Sequence, residues 1–168
     1  MHFKRKDYIC NMKEWNIKIV YEVFSINELN LEDQQLIQAA RKATGRSYAP
    51  YSHFHVGAAA LLENGMIVTG SNQENAASPS GLCAERTALF YANSQYPGQK
   101  VMALAIAACH EDKGIPHYPI SPCGACRQVM LETENRYGYP MRILLCGEKE
   151  VYVIKSAKDL LPLAFDNY

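Results

Sequence analysis

Two short segments carry the residue types of a metal-dependent reaction centre: Cys83-Ala84-Glu85-Arg86 and Pro122-Cys123-Gly124-Ala125-Cys126. Each falls where the residue pattern predicts the start of a helix. Helix N-termini carry partial positive charge and free N–H groups, which favour thiolate over thiol. Thiolate is the form that zinc binds. The Cys123-x-x-Cys126 spacing brings two sulfurs to one ion, and Cys83 must arrive from elsewhere in the fold, so three protein ligands result. Three ligands leave a fourth tetrahedral position open to water, which separates a catalytic zinc from a closed structural one. Zinc lowers the pKa of water from ~16 toward roughly 7. Three thiolates blunt that effect by donating charge to the ion. Arg86, one helical turn from Cys83, offers guanidinium donors that offset the surplus negative charge. Glu85 lies too close to Cys83 to be a natural fourth ligand but is well placed to touch the water, and is the expected general acid and base.

Each feature also has a plainer reading. A lone Cys-x-x-Cys serves equally in redox exchange or as half of a structural zinc site, and a first-turn Glu is favoured by the helix dipole alone. The added Cys83-x-Glu85 spacing shifts the balance to catalysis. His53, His55, His110 and His117 have no ligand spacing with the cysteines and read as surface or structural residues. Cys10, Cys109 and Cys146 lack acidic or cysteine neighbours at ligand spacing. The last two close buried strands, where cysteine acts as a small apolar residue.

The elements that must position these residues follow from periodicity. Residues 1–15 are polar without a period and read as an N-terminal extension. Ile17 to Phe24 alternate as an edge strand. Leu31 to Thr44 has helical spacing, with Asn30 as N-cap and Gly45 as stop. His55–Leu62 and Met66–Thr69 form a hairpin across Glu63-Asn64-Gly65. Leu82–Asn93 and Cys123–Tyr137 read as helices, Val101–Ala108 and Met141–Cys146 as buried strands. A short strand, Val151–Ile154, and a last helix opened by Ser156 and stopped at Pro162 complete the chain. The whole length, 1–168, is expected to be a single domain.

Charge narrows the partners. Lys plus Arg equals Asp plus Glu, 17 against 17, so no net field attracts a polyphosphate backbone. No nucleic-acid or membrane partner is expected: the longest apolar run, Val101 to Cys109, falls well short of the ~20 residues of a membrane span. Asp7, Lys13 and Glu14 interrupt any apolar stretch after the basic start, so no signal peptide is readable and a cytoplasmic location is expected.

The chain resembles the zinc nucleobase deaminases, whose signature is H-x-E followed by P-C-x-x-C with a three-cysteine variant of the ligand set. Within that class, Tyr51-Ser52-His53-Phe54-His55-Val56-Gly57-Ala58-Ala59, Asn72-Gln73-Glu74-Asn75-Ala76, Cys83 to Ala88 and Pro122 to Gln128 are similar to the free-nucleoside cytidine deaminases, over roughly residues 31–165. The resemblance implies a three-layer α/β/α fold with a mixed five-stranded sheet, a homotetramer, and zinc on Cys83, Cys123 and Cys126. It implies hydrolytic deamination of cytidine and deoxycytidine, with Glu85 moving protons between water, ring nitrogen N3 and the departing amine. Asn72 and Glu74 would bind the ribose hydroxyls, residues that otherwise read as ordinary turn formers. Phe54 would pack beside the nucleoside, a role compatible with core packing. Phe165, after Leu160-Leu161-Pro162, would cap the base of a neighbouring subunit. Ser78 stands where the family commonly has an aromatic residue, and the N-terminal extension exceeds the smallest members. Two rival readings stay open: an aminonucleoside analogue as substrate for the same chemistry, or a closed zinc module serving an interaction surface.

Overall fold

The computed structural model describes residues 13–166. Their elements run β1 (Glu22–Ser25), α1 (Leu31–Thr44), β2 (Phe54–Leu62), β3 (Ile67–Ser71), α2 (Ala84–Gln95), β4 (Val101–His110), α3 (Gly124–Tyr137), β5 (Arg142–Cys146) and β6 (Glu150–Ile154). One mixed sheet has the order β1-β6-β5-β4-β2-β3. Among the named strands of the described residues only β4 and β5 pair in parallel, and α3 is the crossover that such a pair requires.

The sheet therefore has six strands, as many as the periodicity marks out, rather than the five that the family resemblance implies. The additional one is β1, which adds antiparallel to β6 with Val23 opposite Tyr152. It is shorter than the expected Ile17–Phe24, because Glu22 already lies opposite Val153 and β6 ends at Ile154. Residues before Tyr21 run past the end of β6. The last expected helix shrinks to a single 3-10 turn, Ala157–Leu160, whose Ser156 cap accepts the Lys158 N–H.

The strands alternate between two cores, as period-two side chains must when both faces are covered. Ala58, Ala60 and Leu62 of β2 and Leu104 and Ile106 of β4 face α2 and α3. Ala59, Leu61, Ala103, Ala105 and Ala107 face Leu36, Ile37 and Ala40 of α1. Small residues let the helices come close. A Cβ on Gly57 would lie 2.2 Å from the Ala40 carbonyl, and one on Gly70 would lie 2.4 Å from the Ala88 nitrogen. Glycine at those positions sets the depth of α1 and α2 on the sheet, and α2 carries half of the chemistry. The buried Glu134 carboxylate of α3 accepts from Met141 N–H, Ala157 N–H and Ser156 Oγ at 2.7 to 2.8 Å, so α3 is fastened to both β5 and the C-terminal turn.

Candidate active site

The three cysteines meet where α2 and α3 begin. Cys83 is the N-cap of α2 and Cys123 the N-cap of α3, and neither sulfur is spent on capping a backbone N–H. Cys126, one turn into α3, is fully buried. The Sγ atoms of Cys83 and Cys123 lie 3.8 Å apart, those of Cys123 and Cys126 3.4 Å, and all three fall within 4.8 Å of one another. A tetrahedral ion with metal–sulfur bonds of about 2.3 Å needs sulfurs ~3.8 Å apart. The donor set thus fits zinc in both chemistry and spacing. Among the described residues no other cluster of three such donors is close enough to hold a metal.

Within the triad the hydrogen bond between Cys83 and Cys126 moves the two thiols in opposite directions. The Cys83 thiol is held down to about 5, foremost by its hydrogen bond with Cys126, with the Arg86 guanidinium adding to it against the cost of burial. Cys126 is pushed up, first by the same hydrogen bond and then by burial. Arg86 Nη2 donates to Cys83 Sγ at 3.7 Å, the contact that its expected charge-offsetting role requires.

Glu85 is buried, 4% exposed, in the first turn of α2. Burial pushes its carboxyl up and the Cys83 charge adds to that, against the pull of its own backbone N–H. A cavity of about 250 Å³ brings Glu85, Cys83 and Cys123 together with Phe54, Asn72 and Glu74. Its apolar wall includes Val56, Ile106 and Ile120, which suits one planar ring. A buried acid, a thiolate cluster and a flat apolar slot with polar groups at one side can activate water and present it to a heteroaromatic base.

Asn72 and Glu74 are held differently. Asn72 Oδ1 accepts from Val56 N–H at 2.7 Å and from Ser47 Oγ at 2.5 Å, while Nδ2 donates to the Phe54 carbonyl at 2.9 Å. Both acceptor positions are filled, so Asn72 can offer a ligand only its second N–H. Glu74 Oε2 accepts from the Tyr51 and Ser52 amides at 2.9 and 3.2 Å. The Ser52 hydroxyl, and after it the Tyr51 amide, hold the Glu74 carboxyl below the usual carboxylate range. One donor and one anionic acceptor side by side match a sugar hydroxyl, which can receive from the first and give to the second.

Sequence reasoning missed Ser47, Ser52 and His110. His110 packs its ring against Phe54 with centroids 4.5 Å apart. The Tyr51-Ser52 turn signal was available; the pairing of Ser47 with Asn72 and of His110 with Phe54 had no signal, because each joins distant segments. His53 and His117 contact Glu111 and Glu148, away from the cysteines. Cys146 is buried and Cys109 half-buried, while Cys10 lies outside the described residues. Ser78 borders a second cleft of about 460 Å³, which shares Asn72, Glu74 and Cys83 with the first and is also lined by Arg86. Phe165 does not line the cavity of its own chain; its carbonyl accepts from Gln128 Nε2 at 2.8 Å and its side chain is exposed.

Known proteins share these features. Residues 31–138 match the family model described as the cytidine and deoxycytidylate deaminase zinc-binding region. A cytidine deaminase of Sporosarcina psychrophila is 42% identical over 135 residues, 80% of this chain and 92% of that protein. The crystal structure of cytidine deaminase from Burkholderia pseudomallei superposes with a TM-score of 0.67 at 45% identity, covering 78% of this chain and 97% of that one. The Mycobacterium tuberculosis cytidine deaminase structure gives a TM-score of 0.63 at 33% identity, covering 82% and 100%. With the three-sulfur cluster and its buried glutamate lying inside the matched region, the chain belongs to the zinc-dependent cytidine deaminase family.

Proposed function

We propose that the protein hydrolyses free cytidine and 2'-deoxycytidine to uridine and 2'-deoxyuridine, releasing ammonia, as an enzyme of pyrimidine salvage. The observation that carries this reading is a single cavity holding a buried carboxylate, two of the three sulfurs and a donor–acceptor pair for a sugar. Cys83, Cys123 and Cys126 would hold zinc, which when bound makes water a competent nucleophile near neutral pH. Glu85 takes a proton from the attacking water, delivers it to N3 of the base, and returns a proton to the amine that leaves C4. Water supplies the oxygen that replaces that amine, so the exchange balances as one water in and one ammonia out. Phe54, fixed by His110, holds the ring plane, and the apolar wall excludes bulk water from the reacting carbon. An ultraviolet assay of zinc-loaded protein on cytidine, deoxycytidine, free cytosine and aminonucleoside analogues tests the reading. Preferred turnover of an analogue would shift the substrate, and absence of turnover on all of them would overturn the activity.

Sugar recognition has its own test. Glu74→Gln is expected to weaken cytidine about 10- to 100-fold, the range for a hydrogen bond to a charged group, and to leave inhibition by free cytosine within a factor of a few. Asn72→Ala should do the same and also lower thermal stability, since Val56 N–H and the Phe54 carbonyl lose their partner. Equal losses for nucleoside and free base would remove both residues from the sugar site.

We assign the assembly as a homotetramer in the cytoplasm, with Phe165 reaching the cavity of a neighbouring subunit. Its segment is anchored on α3 by Gln128 and by Arg127 Nη1, which donates to the Leu160 carbonyl at 2.9 Å. Stacking on a base is worth ~1–3 kcal/mol, so Phe165→Ala should raise KM roughly five- to a hundredfold with zinc retained. Coexpressing Phe165→Ala with Glu85→Gln chains should restore a low-KM fraction. Hybrid oligomers without such a fraction would confine Phe165 to its own chain.

A further inference from the structure

The segment ahead of α1 precedes the region matched by the family, and its surface is unusual for a sheet border. Among the described residues β1 is an outermost strand, and no strand pairs with its side away from β6. Residues 13–25 contain no proline and the β1–β6 register has no bulge, and the charges in residues 17–23, Lys18 and Glu22, are of opposite sign, so they oppose some pairings and favour others. The apolar side chains of this segment are also uncovered. Trp15 is 87% exposed, Ile17 59% and Val20 57%, with Ile19, Tyr21 and Val23 exposed as well. So many large apolar groups on nine consecutive residues mark a contact surface.

We infer that this surface is an interface between two copies of the chain, in which residues 17–23 of each copy pair antiparallel about Val20 and join the two sheets across a two-fold axis. Charge selects the occupant and the register. With Val20 opposite Val20 of the second copy, Lys18 falls opposite Glu22, Ile19 opposite Tyr21 and Ile17 opposite Val23, and each pair occurs twice by symmetry. Opposite charges and β-branched–aromatic pairs both stabilise neighbouring strands. A slip of one residue puts Lys18 against Tyr21 or Val23 and turns the apolar set to the other face. Registers centred on Lys18 or Glu22 oppose like charges. Ile17, Ile19, Tyr21 and Val23 then share one face, and Tyr21 already contacts Tyr152 of β6 with ring centroids 4.9 Å apart, so that face continues onto the existing sheet. Glu22 Oε1 contacts Lys155 Nζ at 3.3 Å in a solvent-exposed pair, which leaves Oε2 for Lys18 of the second copy.

Cross-linking at the symmetry centre tests the pairing independently of the deaminase reading. Zinc-loaded Val20→Cys protein should give a linked dimer on denaturing gels after mild oxidation, above the background of the parent chain, with deamination per chain unchanged. Adding Lys18→Glu should reduce linkage at least tenfold, because like charges then face each other, and adding Glu22→Lys to that chain should restore it. Lys13→Cys, outside the paired stretch, should link no more than the parent. Absent linkage in Val20→Cys, equal linkage after the single charge reversal, or failure of the double reversal to restore it would each overturn the proposal. Linkage to a different protein would do so as well.

Discussion

In Glu85→Gln, cytidine turnover is expected to fall by about 100- to 10,000-fold while zinc content and thermal stability stay near those of the parent, the range general acid and base groups contribute. The amide is nearly isosteric with the carboxyl, so the buried site in the first turn of α2 is neither emptied nor overpacked. It also places no new charge beside Cys83, and loses one that burial disfavours. What it removes is the ability to accept and return a proton. KM should change much less than kcat, because the proposed nucleoside contacts of Phe54, Asn72 and Glu74 are left in place. Steady-state kinetics with metal analysis on the same preparation separates the outcomes. Turnover within a factor of a few of the parent would show that another group carries the proton. Loss of zinc along with activity would instead mean that Glu85 supports the metal site.

The chemistry was legible in the sequence because a metal centre imposes spacing that ordinary packing does not. Cys123 and Cys126 had to be one turn apart, and Cys83 and Glu85 had to share a helix start. The structure gathers them at the mouths of α2 and α3. Helix boundaries were readable for a related reason: Asn30 accepts the Asp33 N–H at 2.8 Å, the local bond its side chain announces. The positioning network was not readable. Ser47 reaches Asn72 across 25 residues and His110 reaches Phe54 across the β2–β4 pairing, and neither residue carries a local sign of its partner. Periodicity places an edge strand at Ile17–Phe24, and so six strands in all, while the resemblance implies a five-stranded sheet. The strand does join, shifted to Glu22–Ser25, because its extent is set by β6 at the other end of the chain. The C-terminal helix was overextended because Ser156 is a genuine cap, and the turn it opens closes after Leu160 against Pro162.

Loss of any sulfur should abolish both zinc and activity, and the three substitutions should differ in what they do to the metal-free fold. Cys83→Ala, Cys123→Ala and Cys126→Ala are each expected to bring zinc from near one ion per chain to near zero, with cytidine turnover at background. Two remaining thiolates leave the ion poorly held, and metal binding to such sites is folding free energy as much as ligand binding. Zinc on the three sulfurs would clip the start of α2 to the start of α3, so chelation of the parent should lower its melting temperature. The stabilisation follows RT ln(1 + [L]/Kd), about 4 kcal/mol when free zinc stands a thousandfold above Kd. Chelator should leave the melting temperatures of the three variants unchanged, because they have no ion to lose. Among the metal-free chains the order is set by burial. Cys126 is enclosed with Met130, Leu131 and Ala84 in the core beneath α2 and α3, so its truncation removes packing as well as a ligand. Cys123 is exposed, and Cys123→Ala should unfold close to the chelated parent. Calorimetry with and without chelator, beside metal analysis, reads all of this. Full activity in Cys126→Ala, or active parent protein with zinc near zero, would dissolve the three-sulfur site and the reading built on it.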